Sequence, residues 1–81
     1  LSDRALVLSD LGRHAEAVVS ARRAVTVRPD DALSWNNLGV VLYRAGREAD
    51  AIRAWRRALA LSPGFAAARN NLAECRRAAR D

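Results

Sequence analysis

The sequence predicts an all-α fold of about five antiparallel helices, because apolar residues recur along it at helical spacing. Helix-breaking residues come in pairs that are 34 residues apart, Gly12 with Gly46 and Pro29 with Pro63. Their surroundings repeat at the same offset: Arg13 with Arg47, Ala17 with Ala51, Val18 with Ile52, Arg22 with Arg56, Arg23 with Arg57 and Ala24 with Ala58. Repetition at a fixed offset predicts helical hairpins of equal length that stack on one another.

The first two predicted helices form a hairpin around Gly12. The first covers residues 2–11 and ends at this glycine, which adopts a left-handed turn without steric cost. The second runs from His14 to Val27 and ends before Pro29, because proline lacks the amide hydrogen and restricts the residue before it. Its small and apolar residues are expected to face the core and its arginines to face solvent. The inward set is Ala17, Val18, Ala21, Ala24 and Val25, and the outward set is Arg22, Arg23 and Arg28.

The next hairpin follows the same rules. Its first helix runs from about Ala32 to Ala45, with Asp30 or Asp31 as the N-cap, and its second covers residues 48–61. Small Gly39 and Ala51 are expected to let these two helices approach closely, with Trp35, Leu42 and Trp55 filling the space around them.

A last helix is predicted from Phe65 to roughly Arg80, after the turn Ser62-Pro63-Gly64. Its outer side carries arginines, namely Arg69, Arg76 and Arg77. That polar face suits a terminal helix exposed to water.

The stretch from Trp35 to Pro63 follows the tetratricopeptide pattern W-x2-L-G-x2-Y, then A-x3-F, then P, and the chain resembles a tetratricopeptide-repeat (TPR) protein. The matching landmarks are Trp35, Leu38, Gly39, Leu42, Ala51, Trp55, Ala58 and Pro63. The resemblance implies a right-handed superhelix of hairpins in one domain, 1–81, with a truncated repeat (1–29), a full repeat (30–63) and a half repeat (64–81) acting as the terminal helix. The chain departs from the family pattern at Arg4, Ala21, Arg69 and Arg76.

Composition limits the function classes. The chain has 14 basic residues, all of them arginine, against 9 acidic ones. Arginine-only usage is typical of a GC-rich bacterial genome, so this excess of positive charge is weak evidence for nucleic-acid binding. Its single cysteine, Cys75, leaves no internal disulfide and no cysteine ligand cluster. We therefore expect no metal and no cofactor. No apolar run approaches the roughly 20 residues that a membrane span needs, so no membrane span is expected either. The expected location is cytoplasmic unless a longer parent protein is targeted or secreted.

No catalytic constellation is present in the sequence. His14 is the single histidine, and neither a Gly-rich phosphate loop nor a shared pair of carboxylates accompanies it. We interpret His14 as a solvated surface residue and Cys75 as a small packing residue. The chain is therefore expected to be non-catalytic, while a parent protein is free to carry a catalytic domain elsewhere.

The TPR resemblance implies that the first helix of each repeat lines a concave groove that binds an extended peptide. In the chain that surface comprises Ser2, Asp3, Leu6, Leu33, Asn36, Asn37, Val40, Tyr43, Arg44, Asn70, Asn71 and Glu74. The column Asp3, Asn37, Asn71 is similar to the asparagine ladder in the TPR arm of O-linked N-acetylglucosamine transferases, because asparagine can hydrogen-bond a peptide main chain. Asparagine is also common here in ordinary repeats, so both interpretations stay open.

Two alternatives to peptide binding follow from the sequence. The first is self-association into a homo-oligomer through open repeat ends, motivated by Leu1, Leu6 and Leu8. The second is docking of RNA or an acidic partner on a convex arginine stripe formed by Arg22, Arg23, Arg56 and Arg57. A solvated face accounts for the same arginines, and nucleic acid is the weaker hypothesis.

Overall fold

The computed structural model describes residues 13–80 of the chain, and within that range all regular structure is helical. The four helices are α1 (His14–Val27), α2 (Ala32–Arg44), α3 (Glu48–Leu61) and α4 (Ala66–Arg80). Helices α2 and α3 form the hairpin of the full repeat. Helix α1 precedes this hairpin and packs against α2, and α4 follows it and packs against α3, in the order that the repeat pattern predicts. The helix predicted over residues 2–11, with Gly12 at its end, lies outside the described residues.

The break between α2 and α3 falls at Gly46, as predicted from the 34-residue repeat. Gly46 has a φ angle of 81°, in the left-handed region that glycine adopts without steric cost. Its backbone N–H donates to the carbonyl of Tyr43 at 3.0 Å, and the N–H of Arg47 donates to the carbonyl of Leu42 at 2.9 Å. The second of these bonds spans six residues and is typical of a Schellman cap, which satisfies the last free carbonyls of a helix.

Asp31 occupies the N-cap position of α2 with an extended backbone, as one of the two predicted alternatives. Its carboxylate makes no capping bond to a backbone N–H, which corrects the role expected for it. Instead Oδ2 accepts a hydrogen bond of 2.7 Å from the hydroxyl of Ser34. Ser34 is almost fully buried, so its hydroxyl requires a partner, and the carboxylate supplies one.

The core forms around α2, which packs against α1 and α3 and also contacts α4. The inward-facing residues predicted for α1 are all buried, and the arginines predicted to face outward are exposed. Trp55 is 2 % exposed and lies among the buried residues of the core, as predicted. Trp35 is half-buried at the edge of the core, where its indole N–H donates to the carbonyl of Pro29 at 2.8 Å.

Candidate functional site

A cleft of about 280 Å³ lies where α2, α3 and α4 meet. Helix α2 contributes three side chains to its lining, α3 contributes one and α4 contributes four. In chain order they are Val40, Tyr43, Arg44, Trp55, Asn71, Glu74, Cys75 and Ala78. We refer to this surface as the α2/α4 cleft.

Five residues that the resemblance placed in the groove line the α2/α4 cleft together: Val40, Tyr43, Arg44, Asn71 and Glu74. They come from two helices whose sequence positions are about one repeat apart. The packing of successive repeats side by side brings these positions together. Residues from two successive repeats therefore line one cleft.

Sequence reasoning missed three of the lining residues. Cys75 lies four residues after Asn71, and Ala78 lies four residues after Glu74. Residues four apart lie on the same face of a helix, so this spacing could have identified both as lining residues. Trp55 was assigned to the core on its motif position. It is buried, and it also reaches the base of the α2/α4 cleft.

Two aromatic rings meet at the base of the α2/α4 cleft. The ring centroids of Tyr43 and Trp55 are 6.0 Å apart, with their planes inclined at 45°. Tyr43 is 38 % exposed and lines the cleft. This tilted aromatic pair, with one exposed ring, gives the cleft an apolar surface.

Asn36 joins three helices through two hydrogen bonds. Its backbone carbonyl accepts from the indole N–H of Trp55 at 3.2 Å, and its side-chain oxygen accepts from Nδ2 of Asn71 at 3.0 Å. Asn36 is only 6 % exposed, so the expectation that it forms part of the groove surface is wrong. Its amide is used inside the protein because α3 and α4 both meet α2 at this point.

The expected column of polar groove residues is only partly accessible. Asn37 is 7 % exposed, which contradicts the exposure expected for it. It lies in a continuous buried run from Asn36 to Gly39, because α2 has neighbours on several sides. Asn71 is half-buried and lines the cleft, whereas Asn70 is exposed and does not line it. Asp3, like Ser2 and Leu6, lies outside the described residues.

Cys75 closes one side of the α2/α4 cleft as a buried thiol, 2 % exposed. Burial raises the pKa of this thiol, the negative charge of Glu48 raises it further, and Arg76 acts weakly in the opposite direction. A raised pKa keeps the sulfur protonated at neutral pH, and a protonated thiol is a poor nucleophile. The interpretation of Cys75 as a packing residue is confirmed.

Within residues 13–80, His, Cys, Asp and Glu side chains form no group of three that could hold a metal ion.

His14 is the first residue of α1 and is half-buried rather than fully solvated, which corrects the sequence interpretation. Its Nδ1 atom is buried and has no hydrogen-bond partner in the described part of the chain.

The arginines of the predicted convex stripe are all exposed: Arg22, Arg23, Arg56 and Arg57. The guanidinium of Arg57 lies 5.9 Å from the centre of the Trp35 ring, in cation–π geometry. Within the described range, Arg22, Arg23 and Arg56 have no ion pair. The self-association alternative rests on Leu1, Leu6 and Leu8, which lie outside that range, and stays a prediction.

The comparisons with known proteins agree with the hairpin geometry. A family model described as tetratricopeptide repeat matches residues 2–55, more than half of the chain. A search of curated proteins finds no match. No helix within residues 13–80 combines the length and the hydrophobicity needed to cross a membrane.

Proposed function

Because the chain belongs to the tetratricopeptide-repeat family, whose members generally mediate protein–protein interactions and are generally non-catalytic, we propose that it binds an extended peptide segment of a partner in the α2/α4 cleft. The observation that carries this proposal is the convergence of a held amide, Asn71, with an aromatic pair in one concave surface. A ligand site typically combines an apolar base with a small number of polar groups that point into it.

Asn71 is oriented for a peptide main chain. Its Nδ2 atom donates to Asn36, which fixes the plane of the side-chain amide. Its Oδ1 atom and its second N–H have no hydrogen bond within the described residues, so the amide keeps one acceptor and one donor for a ligand. A peptide unit offers the complementary N–H and C=O, and its recognition then depends little on the ligand's side chains.

The rest of the α2/α4 cleft suits an apolar side chain of that peptide. Val40, Tyr43 and the buried Trp55 form its apolar wall. Arg44 and Glu74 line the same cleft with opposite charges, so the cleft as a whole has no strong preference for charge. Tyrosine is enriched at protein interfaces because its ring packs while its hydroxyl remains a hydrogen-bonding group.

The test uses peptides that the 81-residue chain selects from a displayed random library, with affinities then measured by titration calorimetry. Asn71→Ala is expected to weaken binding about tenfold, because it removes hydrogen bonds made by the held amide. Asn70→Ala is the matched control, since Asn70 is the same residue type on the same helix and does not line the cleft. Tyr43→Ala is expected to weaken binding as well.

Thermal unfolding separates loss of binding from loss of fold in these variants. Equal losses for Asn70→Ala and Asn71→Ala, or unchanged affinity in Tyr43→Ala, would place the peptide elsewhere and reject the proposal.

We further infer a reducing compartment such as the cytoplasm, since Cys75 is unpaired and buried.

A further inference from the structure

A second, larger cleft of about 430 Å³ lies between α1 and the turn that joins α2 to α3. Its described lining residues are Ala15, Val18, Val19, Arg22, Ala45 and Arg47. It shares no described lining residue with the α2/α4 cleft. We refer to it as the α1/turn cleft.

The base of the α1/turn cleft is aliphatic. Val18 is buried, and beside it Val19 is 57 % exposed, one of the large apolar residues that the fold leaves in water. A single exposed valine is ordinary, but here it borders a concave surface together with Ala15 and Ala45. Such a surface has room for an aliphatic side chain of a partner.

The repeat itself shows that Val19 is unusual. At the 34-residue offset its counterpart is Arg53, whose side chain is 80 % exposed and lies 3.6 Å from the carboxylate of Asp50. The preceding position keeps its apolar character, since Val18 corresponds to Ile52. The outward valine is therefore a feature of the first repeat rather than of the repeat pattern.

Two arginines lie beside the aliphatic base of the α1/turn cleft. Arg22 projects from α1 and Arg47 from the turn, and both are exposed. Neither has an ion pair within the described residues, where Glu16 is instead close to Arg13 at 3.8 Å. None of the described lining residues is acidic. Two cations beside one cleft create a local positive potential that attracts anionic groups.

We propose that the α1/turn cleft binds an acidic peptide segment of a partner protein, with an aliphatic side chain on Val18 and Val19 and flanking carboxylates on Arg22 and Arg47. The guanidinium group favours this ligand because its planar donors match the two oxygens of a carboxylate. The site is distinct from the α2/α4 cleft, so the chain holds a partner at two separate surfaces.

An acidic peptide fits these residues better than a nucleic acid does. Single-stranded nucleic acids bind through aromatic side chains that stack on bases, together with a row of cations along the backbone. The described lining of the α1/turn cleft contains no aromatic ring and has two cations on an aliphatic base. The aliphatic base has no counterpart in a sugar-phosphate chain, whereas it matches leucine, isoleucine or valine.

The test measures fluorescence anisotropy of labelled peptides with the 81-residue chain at near-physiological salt. The first peptide has a central Glu-Leu-Glu between glycine and serine residues; the second has Gln-Leu-Gln, and the third Glu-Ser-Glu. We expect the first to bind at least ~10-fold more tightly than either of the others, since both the charges and the aliphatic side chain contribute. A single-stranded RNA of the same length is the fourth probe.

Variants of matched charge locate the site. Arg22→Gln with Arg47→Gln is expected to weaken binding of the Glu-Leu-Glu peptide ~10-fold or more, and Val19→Ser several-fold. Arg23→Gln with Arg56→Gln removes the same charge from exposed positions that do not line the cleft, and a loss below ~3-fold is expected from long-range attraction alone. Asn71→Ala is expected to leave this affinity unchanged, which separates the result from that for the α2/α4 cleft.

Several outcomes would overturn the assignment. They are equal losses in the two arginine pairs, equal binding of the Glu-Leu-Glu and Gln-Leu-Gln peptides, and no binding of the Glu-Leu-Glu peptide at millimolar concentration. RNA binding that is tighter than peptide binding and equally sensitive to both arginine pairs would assign the arginines to a diffuse nucleic-acid surface instead.

Discussion

The indole ring of Trp55 occupies the space that Gly39 leaves open on α2. A Cβ atom built at Gly39 would overlap the pyrrole side of that ring, and no other described glycine has such a neighbour. The close approach also lets the indole N–H reach the backbone carbonyl of Asn36, one turn before Gly39, at 3.2 Å. One missing side chain thus sets both the packing and the hydrogen bond between α2 and α3.

Gly39→Ala is expected to destabilise the fold by about 1–3 kcal/mol, because the added methyl group displaces the buried indole. Alanine has the higher helix propensity, by about 1 kcal/mol, so helix propensity alone predicts the opposite sign. The free energy of unfolding from urea titration measures the result. The matched control is Gly64→Ala, where the new Cβ atom meets nothing within 4 Å and no positive φ is involved. A stabilised Gly39→Ala variant would show that the indole has room to move.

Gly46→Ala tests conformation without packing. The site is open, with nothing within 4 Å of a new Cβ atom, but its φ angle is 81°. We expect a loss of about 1–2 kcal/mol from the left-handed backbone alone. Gly46→Asn should lose less, since asparagine tolerates this region better than alanine. Equal unfolding midpoints for the two variants would mean that the turn relaxes to a different conformation.

Trp55→Ala is expected to destabilise the fold by about 3–5 kcal/mol, as a large-to-small change at a residue that is 2 % exposed. Trp55→Phe keeps a ring but loses the donor to the carbonyl of Asn36, and about 1 kcal/mol should be lost for that bond. Chemical denaturation of both variants gives the two values. A loss below about 1 kcal/mol in Trp55→Ala, the size typical of surface sites, is incompatible with the packing described above.

The hydrogen bond between Asn36 and Asn71 crosses 35 residues of sequence and connects α2 to α4. A double-mutant cycle with Asn36→Ala and Asn71→Ala should give a coupling energy of about 0.5–1.5 kcal/mol in the free energy of unfolding. Asn36→Ala combined with Asn70→Ala serves as the control cycle, because no hydrogen bond joins that pair in the described structure. Additive losses in the first cycle would indicate that the bond contributes nothing to stability.

The residues predicted correctly from sequence are those whose position depends on a single helix face. Helical periodicity assigned Ala17 and Val18 to the core, the motif position did so for Trp55, and the 34-residue repeat located the break at Gly46. The exposure of Asn37 was wrong because α2 is surrounded by three described helices, and a pattern along one helix does not reveal how many neighbours cover it.

The candidate sites show the same division. Five of the eight residues that line the α2/α4 cleft were among the positions implied by the family resemblance. The α1/turn cleft was not foreseen, because it depends on Val19, a residue that departs from the repeat. Arg22 and Arg47 were noted as repeated arginines, but only the three-dimensional structure places one from each hairpin beside the same aliphatic base.

The buried thiol of Cys75 predicts a dependence of stability on alkaline pH. Burial raises the pKa of this thiol in the folded chain, whereas the unfolded chain has an ordinary cysteine pKa of about 8.5. As the pH rises past that value, the unfolded state releases its proton first and is stabilised relative to the folded state. The contribution of Cys75 is therefore fully present below the unfolded pKa and is lost as the pH rises towards the folded one. Urea midpoints between pH 7 and pH 10, in the presence of a reductant, should fall more steeply for the unmodified chain than for Cys75→Ala. Parallel slopes would show that the thiol titrates equally in both states and is therefore not buried in the folded chain.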